Sequence, residues 1–160
     1  MASREIEVLL AVLDQAFDKK SWHGTNLRGS LRGVTHEQAS WRPAPRRHNI
    51  WELALHVAYW KYSVRRRLRG EPRGSFPCAG SNWFARPEGR GADVWRREAR
   101  LLVEIHRSLR QAVLELRPSE LDVIPAGSKT SNLALIAGVA AHDLYHAGQI
   151  QLLKRLGSGK

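Results

Sequence analysis

The chain has 160 residues, 42% of them hydrophobic and 26% charged, a balance that suits a single globular domain over residues 1–160 and excludes the disordered and fibrous classes. Its one cysteine, Cys78, excludes an intrachain disulfide and any cysteine-rich metal site, so a metal would have to rest on histidine or carboxylate. The formal net charge of +11 invites a nucleic-acid reading, but 20 Arg and six Lys are scattered along the whole chain, and that dispersion favours compositional bias over a phosphate-binding stripe.

Apolar residues recur at helical spacing nearly everywhere and no period-2 strand with flanking turns is visible, so the sequence predicts an all-α fold. The opening stretch MASREIEVLLAVLDQAFDKK is amphipathic and charged, without an export signal. It predicts a first helix from about Arg4 to Lys19, with Ser3 as N-cap and Ile6, Leu9, Leu10, Leu13, Ala16 and Phe17 on the buried stripe. The connector SWHGTNLRGSLRGVTHEQASWRPAPRRH follows, broken by Gly and Pro, with Thr35 and Gln38 in a capping-box pattern for one short turn.

A second long helix opens at Asn49, with Glu52 three residues on, runs through IWELALHVAYW and stops near Arg69 at Gly70 and Pro72. The Gly- and Pro-rich segment GEPRGSFPCAGSNWFARPEGRGA cannot be helical and predicts a long surface connection, with Cys78 in it as an inert thiol. A third helix spans about Asp93 to Leu116, with Trp95, Ala99, Leu102, Leu109, Val113 and Leu116 on one stripe. The fourth runs from about Ser131 to Leu156, stopped by Gly157, with Leu135, Val139, His142, His146, Gln149 and Leu153 on one face. Four such helices predict an antiparallel four-helix bundle with long connecting loops, the middle one crossing over. The six tryptophans, at 22, 41, 51, 60, 83 and 95, read as core and loop anchors.

The histidines carry the chemistry. His142 and His146 stand one helical turn apart, so both rings can reach one ion; equally, each can be a core imidazole bonded to a helix carbonyl or to Gln149. His56 tips the balance, because it sits mid-helix in a second apolar run whose face is made partly polar by Glu52 and Ser63. Three inward histidines from two helices can hold a divalent ion and leave positions open for water or substrate. Asp143, about 100° round the helix from His142, reads as a supporting or surface residue. His106 is open between a fourth ligand, a general base and a satisfied core histidine. His23, His36 and His48 read as surface residues of the connectors. Tyr145 and Tyr59 could present hydroxyls near the pocket, with core packing as the simpler reading. The stretch NLALIAGVAAHDLYHAGQI is interrupted by His142, Asp143 and His146, costly groups in a bilayer, so a soluble, cytoplasmic protein without a membrane partner is expected.

Taken together, HNIWELALHVAYWKYSVRRRLRG and the downstream AAHDLYHAGQIQLLKR make the chain similar to the DinB-like superfamily of metal-binding four-helix bundles, and SWHGTNLRGSL with ASWRPAP resembles its upstream connector. The resemblance implies that His56, His142 and His146 bind a divalent metal, zinc or nickel, and that the chain forms homodimers through bundle faces. It further implies a metal-dependent thiol S-transferase or hydrolase activity, with a small-molecule substrate such as a low-molecular-weight thiol. Tyr145, Gln149 and His106 are the pocket candidates around the metal, and the Arg-rich stretch Arg65 to Arg69 with the Trp83 loop could steer or cover an anionic substrate. Two rivals remain at this stage: a non-catalytic basic helical module that binds nucleic acid or an acidic partner, with structural histidines, and a metal-stabilised bundle without turnover.

Overall fold

The computed structural model describes residues 3–87 and 89–158. Among them there is no strand. The elements are α1 (Arg4–Phe17), α2 (Leu27–Ser30), α3 (His36–Ser40), α4 (Ile50–Leu68), α5 (Ala92–Leu114), a 3-10 turn (Pro118–Glu120) and α6 (Asn132–Gly157). No helix among the described residues is long and apolar enough to cross a membrane.

Local chemistry sets the helix starts. The Ser3 hydroxyl accepts from the Ile6 amide at the head of α1, and reciprocal capping boxes join Thr35 with Gln38 and Asn49 with Glu52, each satisfying amides that have no partner within the helix. Gly70, with φ +65, ends α4 because the amides of Gly70 and Glu71 turn back to the carbonyls of Arg67 and Arg66, a left-handed cap that favours glycine. Gly157 does not stop α6 as the sequence suggests; it is the last helical residue. A Cβ there would meet the Trp41 ring at 3.0 Å, so its lack of a side chain serves close packing.

The long helices pack α4 against α5 and α6, and α1 against α5 and α6. Their directions follow from the cross-contacts. Between α4 and α5 the pairs Trp51 with Glu98, Lys61 with His106, Arg65 with Ser108 and Arg69 with Glu115 advance together, so these two helices run parallel. The 70–91 connection crosses the length of the molecule before α5 begins, the crossing-over expected of the middle loop, and it makes this pair parallel within a bundle otherwise expected to be antiparallel. Between α1 and α5 the pairs Asp14 with Arg110 and Phe17 with His106 advance oppositely. The core falls into two clusters. One joins Trp51, Leu53 and Val57 of α4 to Leu102, Ile150 and Leu153; the other joins Leu9, Leu13, Val64, Leu109, Ile136 and Val139. On α6, therefore, later residues meet earlier residues of α4, and the two helices are antiparallel.

The crossing loop is tied down at one point in particular. Arg86 forms a two-armed ion pair with Glu98 of α5, both arms at 2.8 Å, and its amide donates to Glu52 Oε1 at 2.9 Å. Glu52, only 4% exposed, also accepts from both terminal nitrogens of Arg42, at 2.8 and 2.5 Å, and from His48 at 3.1 Å. Burial pushes this carboxyl up, but the Arg42 guanidinium, the Arg86 amide and His48 outweigh it and hold it at about 2. Trp22, expected as an anchor, is 99% exposed and packs on nothing.

A folded-state pKa below the ordinary 4.5 means that Glu52 contributes stability fully above about pH 4.5, and that this contribution is lost as pH falls toward 2. Glu52→Ala strips a buried ion-pair network of its acceptor and is expected to cost about 3 kcal/mol or more in urea denaturation at pH 7. Glu52→Gln is expected to differ most from the wild type at pH 7 and least at pH 3, and a pH-independent difference would count against the network.

Candidate metal centre

Three histidines from two antiparallel helices meet at one point. His56 Nε2 lies 3.1 Å from His142 Nε2, and His146 Nε2 lies 3.0 Å from the same atom. Among the described residues, His56, His142 and His146 form a group able to hold a metal ion. Three nitrogens around a tetrahedral zinc at 2.0–2.1 Å would stand roughly 3.3 Å apart, close to the two separations from His142 Nε2, and ligand atoms of all three rings lie within 4.8 Å of one another.

The protons explain why these contacts call for a cation. His56 Nδ1 sits 2.9 Å from the Asn82 carbonyl oxygen, which can only accept, so the proton is on Nδ1 and Nε2 presents a lone pair. His146 Nδ1 donates likewise to Gln149 Oε1 at 2.6 Å, leaving its Nε2 a lone pair too. His142 can give an Nε2 proton to one neighbour but not to both, and its Nδ1 is buried without a partner. In every protonation pattern at least one short nitrogen–nitrogen contact lacks a hydrogen, or a buried ring N–H goes unbonded, unless a positive ion sits between the lone pairs. Burial holds His56 at about 4, with the Asn82 carbonyl pulling only partly against it, and holds His142 at about 3, helped by the neighbouring His146, His56 and Lys61. His146 is lowered as well, again chiefly by burial. All three rings are neutral near pH 7, the form that ligates metal.

The loop closes one side. Asn82, in the left-handed conformation at φ +64, aims its carbonyl at His56 and its side-chain oxygen at Trp60 Nε1, 2.9 Å away. Trp83 stacks flat on His56 at 3.8 Å, and His48 stacks on the far face of Trp83 at 3.6 Å. His56 and His146 are buried and His142 half-buried. The more open flank carries Tyr145, 65% exposed and edge-on to His146 at 5.0 Å between centroids. Core packing is thus the wrong reading for Tyr145, while Tyr59 is half-buried against Trp60, Phe76 and Phe84.

Beneath the trio lies a buried polar cluster that the sequence reading missed. Lys61 and Asp143, both without solvent exposure, pair at 2.5 Å. Asp143 is therefore no surface residue: the buried arc of α6 takes in Ile136, Val139, Ala140, Asp143, His146, Ala147 and Ile150, and His142 stands at its edge. The Lys61 ammonium also donates to His106 Nδ1 at 3.2 Å and sits 4.9 Å from the centre of the Phe17 ring, on which His106 stacks at 3.7 Å. Burial pushes the Asp143 carboxyl up and the Lys61 ammonium down, and each partner's charge pulls the other back. His106 is held at about 2, by burial first and the Lys61 charge second; it belongs to this cluster and not to the trio. Cys78 is half-buried, its thiol pushed up by burial and Glu98, consistent with an inert group.

Comparison with known families matches residues 21–150 to the model of the DinB superfamily. The chain belongs to the DinB superfamily. No curated protein and no solved structure matches it, so within this DinB-superfamily chain the assignment of roles rests on the geometry of its own residues.

Removing one member of a fully buried ion pair strands a charge, whereas replacing both with apolar residues does not. Lys61→Met is expected to lower stability by about 3–5 kcal/mol, and Lys61→Met with Asp143→Leu by much less. A double variant that loses as much as Lys61→Met and Asp143→Leu added together, by urea denaturation, would mean that the two groups are not coupled.

Proposed function

We propose that the chain is a metal-dependent enzyme in which His56, His142 and His146 hold one divalent ion, zinc or nickel, and act on a small molecule by thiol transfer or hydrolysis. The observation that carries this reading is the convergence of three Nε2 lone pairs whose opposite ring nitrogens are committed or buried. An ion bound there supplies a positive charge that lowers the pKa of a water or low-molecular-weight thiol on an open position, because neutral imidazoles leave the charge of the ion uncancelled. Imidazole suits both metals, so the donor set does not choose between them.

The chain's own residues divide the remaining work. Asn82 and Gln149 fix the tautomers and orientations of His56 and His146, the role that outer hydrogen-bond partners play at metal sites. Trp83, with His48 behind it, covers one face of His56 and keeps water from that side. Substrate approaches past Tyr145 and the half-exposed His142, the flank that the loop leaves open. The all-helical fold and the mutual packing of the four long helices support a four-helix bundle of the DinB type. Homodimerisation remains part of this reading through the family likeness, and a cytoplasmic location through the charged, polar-interrupted sequence.

Untagged protein, purified without chelator, is expected to carry close to one equivalent of zinc or nickel per chain by elemental analysis. His142→Ala is expected to lose nearly all of it while keeping its helical circular dichroism. Chelation is expected to lower the melting temperature of the wild type by several degrees, since a tightly held ion stabilises by about 3–4 kcal/mol at a large excess over its dissociation constant, and to leave the variant unchanged. Transfer of a small thiol to a chlorodinitrobenzene electrophile, or ester hydrolysis, is expected to fall at least tenfold in the variant. Wild-type protein free of metal would overturn the reading, and metal-loaded protein inert in both screens would reduce it to a structural site.

A further inference from the structure

A second site lies on the other side of Trp60, away from the histidines. The C-terminal part of α4 and the start of the crossing loop enclose a cavity of about 430 Å³, with Tyr59, Trp60 and Phe76 among its walls and Arg66, Arg67 and Arg73 on its rim and floor. No carboxylate lines it.

The charge balance is unlike that of neighbouring arginines. Arg65 pairs with Glu71 at 2.5 Å, Arg69 with Glu115 at 3.0 Å and Arg86 with Glu98 at 2.8 Å. Arg66, Arg67 and Arg73 have no ion-pair partner among the described residues, although Arg66 is 9% exposed. Arg66 donates only to the Glu71 backbone oxygen, at 3.2 Å. Arg67 donates to the Ser63 hydroxyl at 2.5 Å and its carbonyl at 3.4 Å, and its Nε is buried with no partner. The C-terminal end of a helix carries only about half a negative elementary charge, so roughly two and a half positive charges face the cavity uncompensated. Burial, with repulsion from Arg66 and Arg73, lowers the pKa of the Arg67 guanidinium, the expected mark of like charges held together without a counter-ion.

We propose that this cavity binds a small organic phosphate, with the phosphate dianion between Arg66, Arg67 and Arg73 and an apolar or aromatic body against Trp60, Tyr59 and Phe76. Guanidinium groups match phosphate geometry with paired N–H donors. A phosphate monoester carries about −1.5 to −2 charges at neutral pH, which offsets most of the excess, where a single carboxylate would leave more than one positive charge standing. Aromatic walls offer nothing to inorganic phosphate and favour a ligand with a body of its own. The site is built without the three histidines, so it does not depend on the metal reading. It adjoins that centre through Trp60, whose indole is held by Asn82 and stands edge-on to His56, with ring centroids 6.4 Å apart.

Titration calorimetry of the untagged protein at physiological salt, with phenyl phosphate, inorganic phosphate and random duplex DNA as probes, tests this directly. Phenyl phosphate is expected to bind saturably at one per chain, at least tenfold tighter than inorganic phosphate. Arg67→Gln and the exposed Arg73→Ala are each expected to weaken it about tenfold or more. Arg4→Ala, which removes the same charge far along the chain on α1, is expected to change it less than twofold, and His142→Ala is expected to retain it, which separates this proposal from the metal centre. Absence of saturable phenyl phosphate binding, wild-type affinity in the Arg67→Gln and Arg73→Ala variants, or capture of duplex DNA with the same arginine dependence in place of phenyl phosphate would each overturn it.

Discussion

The structure turns on three imidazole nitrogens that face one another with too few protons to share. In water each lone pair would be hydrated; here His56 and His146 are almost wholly buried, and their opposite nitrogens are occupied by Asn82 and Gln149. A cluster of acceptors in that setting is costly unless something positive joins them. The proposed metal is the economical answer, and the surrounding residues are arranged as if to keep the acceptors facing inward.

Holding that arrangement requires α4 and α6 to stay in register and the crossing loop to stay on top of them. The Lys61–Asp143 pair joins the two helices beside the histidines, and its burial makes any slip of one helix past the other separate two desolvated charges. The loop is fixed from the opposite end, where Arg86 binds Glu98 on α5 and its amide caps the Glu52 carboxylate on α4. Between those anchors Asn82 and Trp83 are delivered to His56. The parallel course of α4 and α5 is what makes this possible, since only a connection that travels back along the molecule can lay its middle residues over the centre.

Much of this was legible in the residues. Ser3, Thr35 with Gln38 and Asn49 with Glu52 mark their helix starts because caps are local chemistry, read within four residues. The trio was legible because i and i+4 spacing is geometric and because a mid-helix histidine in an apolar run needs a partner. Lys61 and Asp143 carried the same kind of signal, opposite charges embedded in two apolar stretches, but pairing them needs to be known across 82 positions of chain. Asn82 and Trp83 gave no periodic signal, since their placement depends on a turn at positive φ and on the Arg86 anchor. The direction of α5 was legible only as a crossing-over of the middle loop, since loop length permits either direction and tertiary contacts decide. Trp22, read as an anchor from its residue type, lies in solvent because type alone says nothing about neighbours.

The most direct test of the proposed centre is an anomalous difference map from crystals of untagged protein, recorded on both sides of the zinc and nickel absorption edges. The centre requires one peak at a single edge, within about 2.0–2.2 Å of Nε2 of His56, His142 and His146 together. A map without such a peak, in crystals grown with either metal supplied, or a peak held by fewer than all three of these rings, would contradict it.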